Sequence, residues 1–372
     1  MFVKIDNNKE NQIFCKIAGI GHSREEDSDK FRIVSQKEFI EYLPESVQQE
    51  ICKNGQSIDE VAEKWGEQIS VNRTFFDGSV VDLGMLAVSR CFENAMEKVP
   101  YDCDPFATGT FDPFVIDAII GATNTGPGYP SLADHIKKEI GISSKTACFD
   151  VVEACTAGSV AIFNARNMIA SGACKTVLVV CSEKATTLAP LADWQGSNLF
   201  GDASFAILLQ ATDNKNEEAF SFFYANSYPF DGNLEFIKKT DNGFMQNGRK
   251  VHQFVVGKVV EEIVSSVKRA GIKVRDVKHF VPHQPSNKTN SSLVARLAGA
   301  WQDQLAKEPP TEDLNLEVTF HKSEGIGNAS SASFGHLLSQ LCCEGKIKSG
   351  ELVITCTFGS GLSLAISGFK FT

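Results

Sequence analysis

The clearest pattern in the sequence is an alternation of short apolar runs with small-residue helical stretches, and it occurs twice. In the first half an apolar run VIDAIIGA (115–122) leads into the polar residues Thr123 and Asn124. EACTAG follows, then a helical stretch SVAIFNARNMIA, a turn SGACK and a second apolar run TVLVVCS (176–182). In the second half the run HFVP (279–282) leads into His283. GNASSAS follows, then the helical stretch FGHLLSQLCCEG, a turn KIKSG and the run ELVITC (351–356). Short apolar runs bounded by turn residues predict strands buried on both faces. Their alternation with helices predicts an α/β architecture of right-handed βαβ units and mainly parallel sheets.

Cys155 precedes Val177 by 22 residues and Asn328 precedes Leu352 by 24, so the two hold equivalent places in a pair of internal repeats. The division falls near residue 215, giving an N-terminal half (1–215) with Cys155 and a C-terminal half (216–372) with His283 and Asn328. Packing two such halves together predicts one site that collects residues from distant parts of the chain. Ala157, Gly158, Ala161, Ala165, Ala170 and Gly172 make the helix after Cys155 small on several sides, as expected of a helix packed between layers.

Composition narrows the reading. A chain of 372 residues with 42% hydrophobic and 22% charged residues is globular and suits two domain-sized units. No run of 18 apolar residues suggests a spanning helix. The start, MFVKIDNNKENQIF, lacks the apolar core and small-residue cleavage site of a secretory signal, so a cytoplasmic protein is expected. A net charge of −10 argues against nonspecific nucleic-acid binding. Of eleven cysteines, Cys148, Cys181 and Cys356 sit in or beside apolar runs as reduced hydrophobes, and no CxxC pair suggests a metal. Cys155 stands apart. At the mouth of a helix, free N–H donors and the helix dipole favour a thiolate and suit a developing oxyanion. His283 ends a strand, where it can donate a hydrogen bond or act as a base. Asn328 taken alone reads better as a simple helix cap.

FDVVEACTAG (149–158), SEK (182–184), LFGDASFAILL (199–209), VPHQPSNK (281–288), GNASSAS (327–333) and ELVITCTFGSG (351–361) together resemble the β-ketoacyl-acyl carrier protein synthase III family. The resemblance implies a five-layered αβαβα thiolase-like fold with two pseudo-repeated halves, and a homodimer. It assigns Cys155 as the acylated nucleophile and His283 with Asn328 as donors to the second thioester's oxygen. The oxyanion of the condensation step would lie against the backbone N–H groups of Cys155 and Ser360. It implies acyl-CoA and acyl carrier protein as partners and no cofactor beyond the CoA or phosphopantetheine that carries the substrates. Neither a metal, a nucleic acid nor a membrane enters that reading.

Several positions depart from the family pattern. Glu153 and Ala154 stand where two alanines are usual, which puts a carboxylate two residues from the nucleophile, expected to find a structural pairing. Ser360 replaces a glycine. In the pantetheine channel, Ile69 and Arg73 align loosely with a tryptophan–arginine pair, so only the arginine persists. Ser286 takes the place of the HQAN asparagine, with Asn287 beside it. Lys288 aligns with a basic carrier-docking position, whereas Gln253 replaces another. Tyr129 stands where a phenylalanine reaches across the dimer. The segments 23–64 and 300–317 are longer than usual and are expected as surface loops that reshape substrate entry. These departures suggest a specialised branch of secondary metabolism. The alternatives are an acyltransferase that uses Cys155 without condensation, a hydroxymethylglutaryl-CoA synthase-like reaction, and a non-catalytic partner subunit of a heterodimeric ketosynthase.

Overall fold

Three apolar runs, 118–122, 176–183 and 352–359, are buried at every position, so each is covered on both sides by other layers. The computed structural model describes residues 1–5, 12–96, 111–142, 145–191, 193–240, 243–306 and 317–371. The chain begins with β1 (Phe2–Lys4), β2 (Phe14–His22), β3 (Phe31–Ser35), α1 (Gln36–Tyr42), α2 (Glu45–Ile51), α3 (Ile58–Gln68), β4 (Asn72–Phe76) and α4 (Val80–Met96). The first repeat follows as β5 (Ala118–Ala122), α5 (Leu132–Ile140), β6 (Ala147–Val151), α6 (Ala157–Ala170), β7 (Thr176–Lys184), the short α7 (Trp194–Ser197) and β8 (Asp202–Thr212). Next come β9 (Phe220–Ser227), the hairpin β10 (Ile237–Thr240) and β11 (Gly243–Gln246), and α8 (Gly248–Phe254), which continues through a π-helical turn into α9 (Val260–Ala270). The second repeat closes the chain with β12 (Val277–Pro282), α10 (Asn287–Leu305), β13 (Thr319–Phe320), α11 (Ser333–Cys343), β14 (Leu352–Gly359) and β15 (Ser363–Lys370).

One sheet has the order β2-β8-β7-β5-β6 and the other β1-β9-β15-β14-β12-β13. Apart from β1 the two orders correspond strand for strand, with β7 matching β14 and β5 matching β12, so the internal repeat of the sequence is a repeat of topology. β1 belongs to the chain's beginning but pairs with β9 in the second sheet. Helices α6 and α11 touch strands of both sheets and form the middle layer. Helices α4 and α5 cover the first sheet outside, while α9, with α10 against it, covers the second. The result is the five-layered αβαβα thiolase-like arrangement.

Two expectations are corrected. The sheets are mixed rather than mainly parallel: β5 is parallel to β6 and β7, and β12 to β13 and β14, but β8 and β15 return antiparallel. For β15 the physical reason is connection length, because Ser360–Leu362 turns β14 straight into it, and a parallel return needs a crossover of a dozen or more residues; β8 takes the matching place in the first sheet after the longer connection 185–201. The second correction concerns segment 23–64, which is a folded lobe rather than surface loop. Ser35 with Glu38, and Ser57 with Glu60, form reciprocal caps that start α1 and α3. The amphipathic faces so aligned bury Val34, Phe39, Ile40, Leu43, Ile51 and Val61 against one another. Trp65 of α3 stacks on Trp194 of α7 at 5.4 Å, which pins the lobe to the first repeat. Of the longer segment 300–317, residues 300–305 complete α10, while 307–316 lie outside the described residues. No helix among the described residues is long and apolar enough to cross a membrane.

Candidate active site

Between β6 and α6 the chain makes a tight turn that presents Cys155. Thr156 closes it by donating from both its backbone N–H and its hydroxyl to the Glu153 carbonyl, at 3.0 and 2.7 Å. Ala154 is held at φ 44°, a left-handed conformation that costs a non-glycine residue about 1–2 kcal/mol. Cys155 is half-buried, and its sulfur lies 3.8 Å from the Ser330 hydroxyl. The end of β14 presses on it from the other side. A Cβ at Gly359 would stand 2.8 Å from the Cys155 nitrogen, so only glycine permits this approach. The turn that carries Ser360 therefore abuts the nucleophile, and the Ser360 hydroxyl donates to the Ile237 carbonyl at 2.6 Å.

The thiolate expected at the helix mouth is not the resting state. Burial pushes the Cys155 thiol up to about 12, and the Glu183 carboxylate raises it further. The Ser330 hydroxyl and the cysteine's own N–H act in the opposite direction without overcoming burial. Glu153 is exposed, and its carboxylate has no hydrogen-bond or ion-pair partner among the described residues, so the pairing expected for it is not found.

His283 follows β12 and is 1% exposed; its backbone N–H donates to the Cys356 carbonyl on β14 at 2.7 Å. The Phe358 ring stands edge-on at 5.4 Å. Burial lowers the imidazole pKa to about 3, so it is neutral at physiological pH, and Nδ1 has no partner among the described residues. Asn328 is anchored by its backbone, with its N–H donating to the Leu199 carbonyl and its own carbonyl accepting from Gly201. Its Oδ1 accepts from the Ser330 N–H at 2.9 Å, which fixes the amide so that the NH₂ end remains as the free donor. The three predicted residues are thus linked through neighbours: Asn328 through Ser330 to the Cys155 sulfur, and His283 through Phe358 and Gly359 to the Cys155 backbone.

The predicted substrate-binding residues divide. Ser286, Asn287 and Asn328 line one narrow crevice of about 10 Å³ together with Ile69, Gln284 and Ser323. Within it Ser286 caps α10, accepting from the Thr289 N–H, and the Asn287 carboxamide donates to the Gly66 carbonyl at 2.9 Å. Lys288 is exposed on the same helix end. Arg73, in contrast, is fully buried: it donates to the Ser197 carbonyl at 2.5 Å and lies 4.1 Å over the Phe39 ring. Its Nε and Nη2 have no partner among the described residues, and burial lowers its pKa to about 10. Tyr129 is fully exposed.

Four residues that surround Cys155 escaped the sequence reading: Asn124, Glu183, Ser330 and Ser331. The signals were present as a polar residue ending a buried strand, a carboxylate ending another, and the run of serines after Asn328. Each has an ordinary explanation in isolation.

The family described as 3-Oxoacyl-[acyl-carrier-protein (ACP)] synthase III matches residues 149–227, and its C-terminal counterpart matches residues 310–371. Beta-ketoacyl-[acyl-carrier-protein] synthase III of Oceanobacillus iheyensis is 32% identical over 250 residues, covering 67% of this chain and 74% of the relative. Among solved structures, 3-oxoacyl-[acyl-carrier-protein] synthase III from Aquifex aeolicus superposes with a TM-score of 0.76 at 21% identity, covering 96% of this chain and 100% of that one. The priming β-ketosynthase of the R1128 polyketide biosynthetic pathway gives 0.74 at 24% identity, covering 97% of each.

Proposed function

The chain belongs to the β-ketoacyl-acyl carrier protein synthase III family, and from that membership we propose that it is a cytosolic decarboxylating condensing enzyme that carries its acyl intermediate on Cys155. The observation that carries this reading is the Asn328 amide, oriented by Ser330, which itself touches the Cys155 sulfur.

In the first step the Cys155 sulfur attacks the carbonyl of an acyl-CoA, the C–S bond to CoA breaks, and the cysteine proton leaves with the CoA thiol. Exchange of one thioester for another is neutral in protons, so a thiol resting near pKa 12 needs only transient ionisation. The backbone N–H groups of Cys155 and Ser360 are the candidate oxyanion donors. In the second step a malonyl-thioester, delivered on phosphopantetheine or CoA, loses CO₂ and leaves an enolate. Two neutral donors, His283 and the Asn328 amide, stabilise that oxygen without a prior proton transfer. The enolate carbon attacks the acyl-Cys155 carbonyl, releasing the β-ketoacyl product and the cysteine thiolate, which takes up a proton.

Ser286, Asn287 and Lys288 are proposed to meet the phosphopantetheine arm, because the first two share the crevice with Asn328. Arg73 would join them only if the lobe above it shifts. A homodimer is supported by the open edge of β6, where Phe149 and Val152 are exposed, and Tyr129 is the side chain free to enter a partner's acyl pocket. The altered channel supports a specialised rather than a housekeeping role.

Incubation with acyl-CoAs of graded length, followed by intact-mass measurement, tests the first step. A mass gain mapped to Cys155 and lost in Cys155→Ala is expected. Labelling with no β-ketoacyl product on addition of malonyl-carrier protein would leave a simple acyltransferase. No labelling at any length would overturn the reading.

A further inference from the structure

Three non-glycine residues among those described have positive φ, and two of them, Ala154 at 44° and Ser330 at 47°, flank Cys155. A single side chain touches both. Asn124 Nδ2 lies 2.9 Å from the Ala154 carbonyl and 3.2 Å from the Ser330 hydroxyl, and its two N–H protons are shared among these and the Glu183 carboxylate. Asn124 is in turn held by Glu183, whose Oε1 accepts from the same amide at 2.7 Å and whose Oε2 accepts from the Asn124 backbone N–H at 3.0 Å. Glu183 is 0% exposed, has no cationic partner among the described residues, and accepts further bonds from the hydroxyls of Thr123, Thr125 and Ser331. A carboxylate buried at the end of β7 on neutral donors alone is a costly arrangement, and it stands directly behind the nucleophile.

We propose that Glu183 and Asn124 are positioning residues: Glu183 anchors the Asn124 amide, and that amide clamps Ala154 and Ser330 in left-handed conformations so that the Cys155 sulfur meets the Ser330 hydroxyl. Left-handed residues persist only where their surroundings over-determine them, and here one amide does so on both sides. The clamp joins the two repeats, because Asn124 and Ala154 belong to the first and Ser330 to the second. Glu183 is also the charged group acting on the sulfur, while the Cys181 thiol on the same strand bonds to Ser331 at 3.2 Å. The proposal rests on the reading of Cys155 as nucleophile.

The test is the pH profile of Cys155 alkylation by iodoacetamide, followed by peptide mass, in the full-length protein. Removing the carboxylate charge with Glu183→Gln should move the profile to lower pH, so that alkylation at pH 8 becomes about tenfold faster. Ser330→Ala should move it to higher pH, because the hydroxyl favours the thiolate. Packing alone gives no reason for opposite movements. Asn124→Ala keeps the charge and breaks only the clamp, so it carries the test if Glu183→Gln fails to fold. It should slow acylation by acyl-CoA about tenfold at saturation, with the half-saturating concentration little changed. Profiles that stay at the wild-type position or move together, or an unchanged acylation rate in Asn124→Ala, overturn the proposal. If acyl-CoA labels no variant and not the wild type while the opposite movements appear, the clamp stands and the condensing-enzyme reading falls.

Discussion

Asn328 has one end of its side chain fixed and the other free, and that asymmetry makes it a donor. Its Oδ1 is committed to the Ser330 N–H, so the NH₂ group cannot rotate away without leaving a buried N–H unpaired. Asn328→Asp keeps the acceptor and removes the donor. The expected result is a loss of on the order of a hundredfold or more in decarboxylation of the malonyl thioester, with Cys155 acylation retained. Carbon dioxide release measured beside intact-mass labelling separates the two steps. A parallel loss of both would make Asn328 structural. At this scale the sequence was legible where a residue has a distinctive neighbourhood, as with Cys155 in EACTAG or His283 in VPHQ. It was not legible for Asn124 and Glu183, whose meaning depends on each facing the other across 59 residues of chain. Nor could it show that Arg73 is sealed over Phe39, since burial of a guanidinium leaves no mark in a linear pattern.

Helix α6 must lie close to the turn before α11, and its small residues allow this. A Cβ at Gly158 would stand 2.8 Å from the Ser331 carbonyl and 3.2 Å from the Phe334 ring. Gly158→Ala should therefore push the two central helices apart, costing about 1–3 kcal/mol in urea unfolding. Because Ser330 sits on the displaced turn, acylation should slow in the folded variant as well. A variant of wild-type stability and wild-type acylation rate would refute that packing. The helix and its small face were legible because strand, turn and helix follow each other at local spacing in both repeats. The return strands β8 and β15 run against the expectation of mainly parallel sheets, because nothing in an apolar run states whether its partner is parallel. The lobe of α1–α3 was read as loop although SQKE and SIDE are capping-box sequences, a signal outweighed by the polar character of the segment as a whole.

Across the whole molecule the buried titratable groups set how stability changes with pH. Burial lowers the imidazole pKa of His22 to about 2, His283 to about 3, and His321 and His336 to about 4. A histidine kept neutral in the fold but free to protonate near pH 6.5 when unfolded contributes stability that is complete above that value. The stability is lost as the pH falls, because the unfolded chain then binds the extra proton. Asp202, raised to about 6 by burial, and Glu183, also raised, act with the opposite sign, since the fold binds their protons first as the pH falls. With four histidines against two carboxylates, protons are taken up on unfolding as the pH falls from 6 towards 4. Stability is then lost as the pH falls through this interval. Half-buried carboxylates with lowered pKa, Glu217 and Glu351 among them, add to the loss in the same direction. The urea midpoint should accordingly fall steeply from pH 6 to pH 4 with an unchanged slope against denaturant. His22→Gln should flatten that dependence by about one proton, because it removes one of the four groups without touching the Cys155 turn. A midpoint that holds or rises over this interval would mean that the buried carboxylates, not the histidines, dominate the acid response of the five-layered core.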